Sequence, residues 1–88
     1  MRGIDILSAT YGANCHAPEG NATGNILAAC EGLKLCDYVI DVRKLGDPAP
    51  NCGKSFIVSY MCPHGREAKR AEVQGEAGLG KHVVLSCP

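Results

Sequence analysis

The stretch SFIVSYMC, residues 55–62, decides how the rest of the chain is read. Aromatic and β-branched residues alternate there with smaller or more polar ones, so a period of two puts Phe56, Val58 and Tyr60 on one side of a strand. A strand with one apolar face needs neighbours along its edges and a cover over that face. The flanking sequence supplies candidates for both. Residues 4–10, IDILSAT, set Ile4, Ile6 and Ser8 against Asp5, Leu7 and Ala9, which suits a strand with both faces partly covered. Residues 36–42, CDYVIDV, are short and rich in β-formers, and residues 68–74 and 81–87 read as two further strands. Residues 23–31 read as a helix: Thr23 is placed to cap it, Ile26, Ala29 and Cys30 share one face, and Gly32 stops it. The segments YGANCHAPEGNATGN (11–25) and KLGDPAPNCG (44–53) are dense in Gly, Asn and Pro and read as loops. Two prolines in the second deny ladder hydrogen bonds. About five strands and one or two short helices follow, in a single α+β domain over residues 1–88. Antiparallel pairing is favoured because the connections are too short for crossovers.

A chain of 88 residues with a single Phe56 and no tryptophan buries a modest core, and domains of that size are marginal on their core alone. Six cysteines, Cys15, Cys30, Cys36, Cys52, Cys62 and Cys87, point to covalent help. Three disulfides are expected, each typically contributing about 2–4 kcal/mol, and with them an oxidising compartment, extracellular or periplasmic. Zinc is disfavoured because no C-x-x-C pair or matching histidine spacing is present, and no metal or cofactor is expected. Nine Lys plus Arg balance nine Asp plus Glu, and without a basic run nucleic acid is not an expected partner. No apolar stretch approaches the roughly 18 residues that membrane insertion needs. No leader segment is recognisable either, so the chain is expected to be a mature fragment or an excised domain of a larger parent. Asn21-Ala22-Thr23 matches the N-glycosylation sequon, which has meaning only in a eukaryotic secretory pathway.

Several short motifs occur in a telling order: Tyr11-Gly12, Cys30-Glu31-Gly32, Cys36, Gly46-Asp47-Pro48, Lys54 and Tyr60-Met61-Cys62. In this order the chain resembles the rhamnose- and galactose-binding lectin domain of the sea-urchin-egg-lectin type. That family runs A-x-Y-G, then C-x-G-x-x-x-C, then G-D-P-C-x-G-x-x-K-Y-L-x-V-x-Y-C. The match spans residues 3–62. Family domains begin with two strands that here look like AEVQGEAG and KHVVLSC, within residues 66–88 at the other end of the chain. Joining Pro88 to Arg2 would restore the usual order, so the resemblance implies a circular permutation or a shifted boundary in a tandem array. Chains tolerate this where termini are close together at the surface. Six cysteines alone leave 15 pairings open. The resemblance implies Cys30 with Cys36, Cys62 with Cys87, and Cys15 with Cys52, with Gly75 standing where the family's first cysteine would be.

The resemblance further implies a sugar site made of Tyr11, Asp47, Lys54 and Glu76. Side chains of this kind suit a neutral sugar, whose adjacent ring hydroxyls are held by charged or amide groups in a small concavity. Two positions depart from the family pattern, Thr10 where Asn is common and Ala13 where Arg is common. Each residue also has a plainer reading: Lys54 as a solvated strand residue, Asp47 as a turn former before Pro48, Tyr11 as core, and Glu76 as a polar turn residue. The expected activity is that of a non-catalytic lectin module taking mono- or oligosaccharides of the rhamnose or galactose type. The rival is a sugar-silent interaction or structural module in a larger secreted protein. An enzyme built on Cys15-His16, or on Asp47 with Glu76 as an acid/base pair, is a weaker third reading. His16, His64 and His82 share no common spacing and read as surface.

Overall fold

The computed structural model describes residues 3–88. Its strands are β1 (Asp5–Tyr11), β2 (Leu35–Asp41), β3 (Phe56–Met61), β4 (Lys69–Val73) and β5 (Leu79–Ser86), and its helices α1 (Thr23–Cys30) and α2 (Val42–Leu45). All pairings are antiparallel: β1-β3-β4 form one sheet and β2-β5 a two-stranded ribbon. The chain is therefore a small disulfide-stapled α+β domain. The inner faces meet in one apolar core. Phe56, Val58 and Tyr60 point inward from β3, as their spacing requires, and join Ile40, Val83 and Leu85 from the ribbon. Tyr38 crosses from the ribbon toward β3, with its ring centroid 5.9 Å from that of Phe56.

The alternation expected in residues 4–10 does not hold. Leu7 is an extra residue between the pairs Ile6–Tyr60 and Ser8–Ser59. This bulge reverses the phase of the strand, so the inward set is Ile4, Ile6, Ala9 and Tyr11, while Leu7 is exposed. Tyr11 thereby turns toward the core and Ser8 and Thr10 toward the outer face. The helix differs too. Ile26 and Cys30 are buried but Ala29 is exposed, because only a narrow i, i+4 edge rests on the core. Thr23 does not cap it: its Oγ1 instead accepts the N–H of Ala9 at 2.9 Å. Val42, placed at the end of a strand by its composition, opens α2, because the Asp41 carboxylate accepts the Arg43 N–H and caps that turn.

The free edge of β1 is closed by side chains rather than by a strand. Asn21 Oδ1 accepts the Tyr11 N–H at 2.7 Å and its Nδ2 donates to the Tyr11 carbonyl at 2.9 Å. Glu31 Oε1 accepts the Ile6 N–H at 2.9 Å, and the Ala22 N–H donates to the Ala9 carbonyl. Exposed edges are templates for unwanted pairing, and this cover removes one. The sequon asparagine is thus committed to the fold through the nitrogen a glycan would need. The bridges are Cys15–Cys52, Cys30–Cys36 and Cys62–Cys87. The first joins the loops after β1 and before β3, the second ties α1 to β2, and the third ties β3 to β5, hence sheet to ribbon. Three disulfides, with no helix among the described residues long and apolar enough to cross a membrane, are consistent with an extracellular or other oxidising compartment.

Asn21→Ala removes both partners of Tyr11 and is expected to cost about 1–2 kcal/mol. Thermal unfolding should then fall by roughly 5–10 °C for a domain of this size. Hydrogen exchange should show faster opening at the Tyr11 amide, and unchanged exchange there would contradict the edge assignment.

Candidate functional site

Tyr11, Asp47, Lys54 and Glu76 are far apart in the sequence, and the fold brings them together. Tyr11 ends β1, Lys54 stands two residues before β3, Asp47 lies in the loop between α2 and β3, and Glu76 lies in the turn before β5. Lys54 is only 6 % exposed, so the reading of it as a solvated strand residue fails. Its ammonium has three donors and three acceptors: Asp47 Oδ1 at 2.8 Å, the Cys52 carbonyl at 3.0 Å and the Ala49 carbonyl at 3.2 Å. The same ammonium stands 5.6 Å from the centre of the Tyr11 ring, a cation–π contact. A buried lysine is tolerated only when satisfied in this way.

Asp47 combines its two readings. Oδ1 accepts the Ala49 N–H at 3.2 Å, forming the turn before the prolines, and also receives Lys54. Oδ2 takes no hydrogen bond among the described residues, on a side chain 43 % exposed. Glu76 is exposed and makes no ion pair among the described residues. It lies over Gly53, where an added Cβ would stand 2.9 Å from Oε1. The Tyr11 ring is buried, as its core reading holds, while its hydroxyl reaches the backbone of Gly78. Any Cβ at residue 78 would overlap that hydroxyl, so the close approach requires glycine there.

The electrostatics follow from this packing. The hydrogen bond from Lys54 holds the Asp47 carboxyl below the usual carboxylate range, against partial desolvation. The same bond raises the Lys54 ammonium above its ordinary value, again against desolvation. Burial pushes the Tyr11 hydroxyl up; Lys54 opposes this, while Asp47 and Glu76 add to it. At neutral pH the cluster thus holds an ionised Asp47, a charged but fully engaged Lys54 and a protonated Tyr11. Chemically it offers carboxylate acceptors beside one hydroxyl. It offers no thiol nucleophile, because Cys15 is bonded to Cys52.

Asn14 had no distinguishing mark in the sequence, yet it supports this arrangement. Its Oδ1 accepts from the Ser55 N–H and hydroxyl at 2.9 and 3.0 Å, and its Nδ2 donates to the Gly53 carbonyl at 2.8 Å. With the adjacent Cys15–Cys52 bridge it fixes the segment carrying Lys54. A concavity of about 400 Å³ lies elsewhere, on the outer face of the three-stranded sheet, including Thr10 and Ala13 but none of the four cluster residues. His82 contacts Asp37 at 2.6 Å on the ribbon surface, away from the cluster.

No family model, no curated protein and no solved structure matches the chain.

The two shifts predict a stability plateau. Asp47, with its lowered value, contributes above the unfolded carboxylate range and loses that contribution as pH falls through its folded value. Lys54, with its raised value, contributes below the unfolded lysine range and loses it as pH rises through its folded value. Lys54→Met should reduce the alkaline arm of a melting-temperature profile to the part set by the raised Tyr11 and Tyr38 hydroxyls and lower the plateau by at least about 5 °C. An unchanged profile would mean that the ammonium is not buried among these acceptors.

Proposed function

We propose that the chain is a carbohydrate-binding module which holds a neutral sugar of the rhamnose or galactose type by hydrogen bonds and does not transform it. The observation that carries this reading is the convergence of Tyr11, Asp47, Lys54 and Glu76 from four separate segments into one charged cluster. Adjacent ring hydroxyls are paired donors, and Asp47 Oδ2 with the Glu76 carboxylate are paired acceptors of the charge-assisted kind. The Tyr11 hydroxyl can donate or accept beside them. Lys54 acts here as a positioning residue, since its donors are engaged by the protein. The disulfide staples and the motif order, including its permuted ends, fit an extracellular lectin module secreted as part of a larger protein. Affinity at such a small, open cluster belongs in the millimolar range, and linked copies would be the route to avidity.

A second reading is favoured by one surface. Leu35, Val39, Leu79 and Val84 are 64, 47, 71 and 54 % exposed on the ribbon, an apolar display more typical of contact with another protein or domain. On this reading the module is sugar-silent and serves as an interaction or structural unit.

A two-dimensional NMR titration separates them. L-rhamnose or D-galactose is expected to give saturable shifts around Tyr11, Asp47 and Glu76, with Glu76→Gln weakening the midpoint by roughly tenfold. An absence of shifts at tens of millimolar of either sugar would transfer the function to the apolar ribbon.

A further inference from the structure

The concavity on the outer face of the three-stranded sheet uses none of the residues assigned so far, and its construction is regular. The register sets Ser8 opposite Ser59 and Ser59 opposite Arg70, so two hydroxyls and a guanidinium form one row across β1, β3 and β4. Thr10, Ile57 and Glu72 form the row beside it. Neighbouring strands lie about 4.8 Å apart, which makes each row roughly 10 Å long, the reach of a pyranose with its substituents. Ala13, Ala17 and Glu19 wall the β1 side, and the open groove has a volume of about 400 Å³, within the usual range for small-ligand sites.

The wall is rigid before any ligand arrives. Cys15 and Ala17 donate to the Gly12 carbonyl at 2.9 and 3.1 Å, the Gly20 N–H donates to Thr10 Oγ1 at 2.9 Å, and the Cys15–Cys52 bridge anchors the loop. The polar groups remain available. Among the described residues the Arg70 guanidinium makes one polar contact, to Glu72 at 3.4 Å, while Glu72 is held more closely by Gln74 at 2.9 Å. A carboxylate meeting the guanidinium fork with two parallel hydrogen bonds would displace that long contact. Thr10 retains its hydroxyl proton after accepting from Gly20. Glu19 makes no ion pair among the described residues.

We infer that this groove is a second binding site, selective for a carboxylate-bearing sugar of the hexuronate class. The carboxylate sits on Arg70, ring hydroxyls meet Ser59, Ser8 and Thr10, a far hydroxyl donates to Glu19, and the apolar ring face rests on Ile57, Ala13 and Ala17. Small residues at 13 and 17 leave the room that this pose requires. The site shares no residue with the Tyr11 cluster and does not depend on that cluster binding a neutral sugar.

The test is an NMR titration of the full chain with sodium glucuronate, with D-glucose and sodium acetate as controls. Saturable shifts are expected at Ser8, Thr10, Ser59 and the Arg70 side-chain N–H with glucuronate, and much smaller ones with either control. Arg70→Gln and Ala17→Leu should each weaken the midpoint by roughly tenfold, while His82→Gln on the ribbon surface leaves it in place. The inference is overturned if acetate reproduces the glucuronate shifts, if Arg70→Gln keeps the midpoint, or if the groove is silent at tens of millimolar glucuronate. Because the readout is resolved by residue, shifts at the Tyr11 cluster alone would sink this site without touching the other reading.

Discussion

A buried ammonium is the constraint around which this domain is arranged. Lys54 brings its charge beneath the surface at the start of the central strand, where desolvation would be prohibitive without acceptors on every proton. Asp47 and the carbonyls of Ala49 and Cys52 supply them. To do so, the loop from residue 46 to 53 must fold back over the lysine. That loop carries two prolines and little apolar surface, so hydrogen bonds to a fixed charge, rather than hydrophobic burial, hold its shape. The Cys15–Cys52 bridge and the Asn14 amide act on the same segment from the β1 side. The Asp47 carboxylate of the proposed site is therefore mounted on a loop that a single charge keeps ordered.

The remainder of the fold addresses the problems of a small domain. The core is limited, and each disulfide joins units that the core alone holds weakly: loop to loop, helix to ribbon, and sheet to ribbon. Edge protection is handled economically, with Asn21, Thr23 and Glu31 imitating a strand along β1. This arrangement also determines which residues face which way. Once the bulge at Leu7 has reversed the phase, Tyr11 falls into the core beside Lys54, and Ser8 and Thr10 fall on the outer face. One inserted residue thus separates a charged cluster from a hydroxyl-lined groove.

Much of the architecture was legible in the sequence because it rests on local periodicity. Phe56, Val58 and Tyr60 announce β3 by alternation alone, and the Gly- and Pro-rich segments announce the loops. The three bridges agree with the pairing that the motif order implies. What escaped detection depends on long-range geometry. A bulge leaves no mark in an alternating pattern until its partner strand is known. Asn21 and Thr23 resemble an ordinary loop and helix start, since their partners lie 10 and 14 residues away. Val42 follows β-formers and would extend them, were it not for the cap from Asp41 one residue earlier. Lys54 was the hardest to place, because charge argues for exposure and only the folded loop reveals the acceptors that reverse this. Of the candidate site, the four residues named from the sequence come together in the fold, but their contacts were not legible: Lys54 holds the loop, and the groove built from Ser8, Ser59 and Arg70 belongs to the register between strands.

The central claim, that a fully engaged Lys54 ammonium organises the cluster, is open to direct observation by nitrogen-detected NMR of its Nζ. The account predicts slowly exchanging ammonium protons, a hydrogen-bond coupling to the Asp47 carboxylate, and a titration displaced above the ordinary lysine range. A rapidly exchanging ammonium with no coupling to Asp47 and an undisplaced titration would contradict it, and with it the geometry on which the neutral-sugar reading is built.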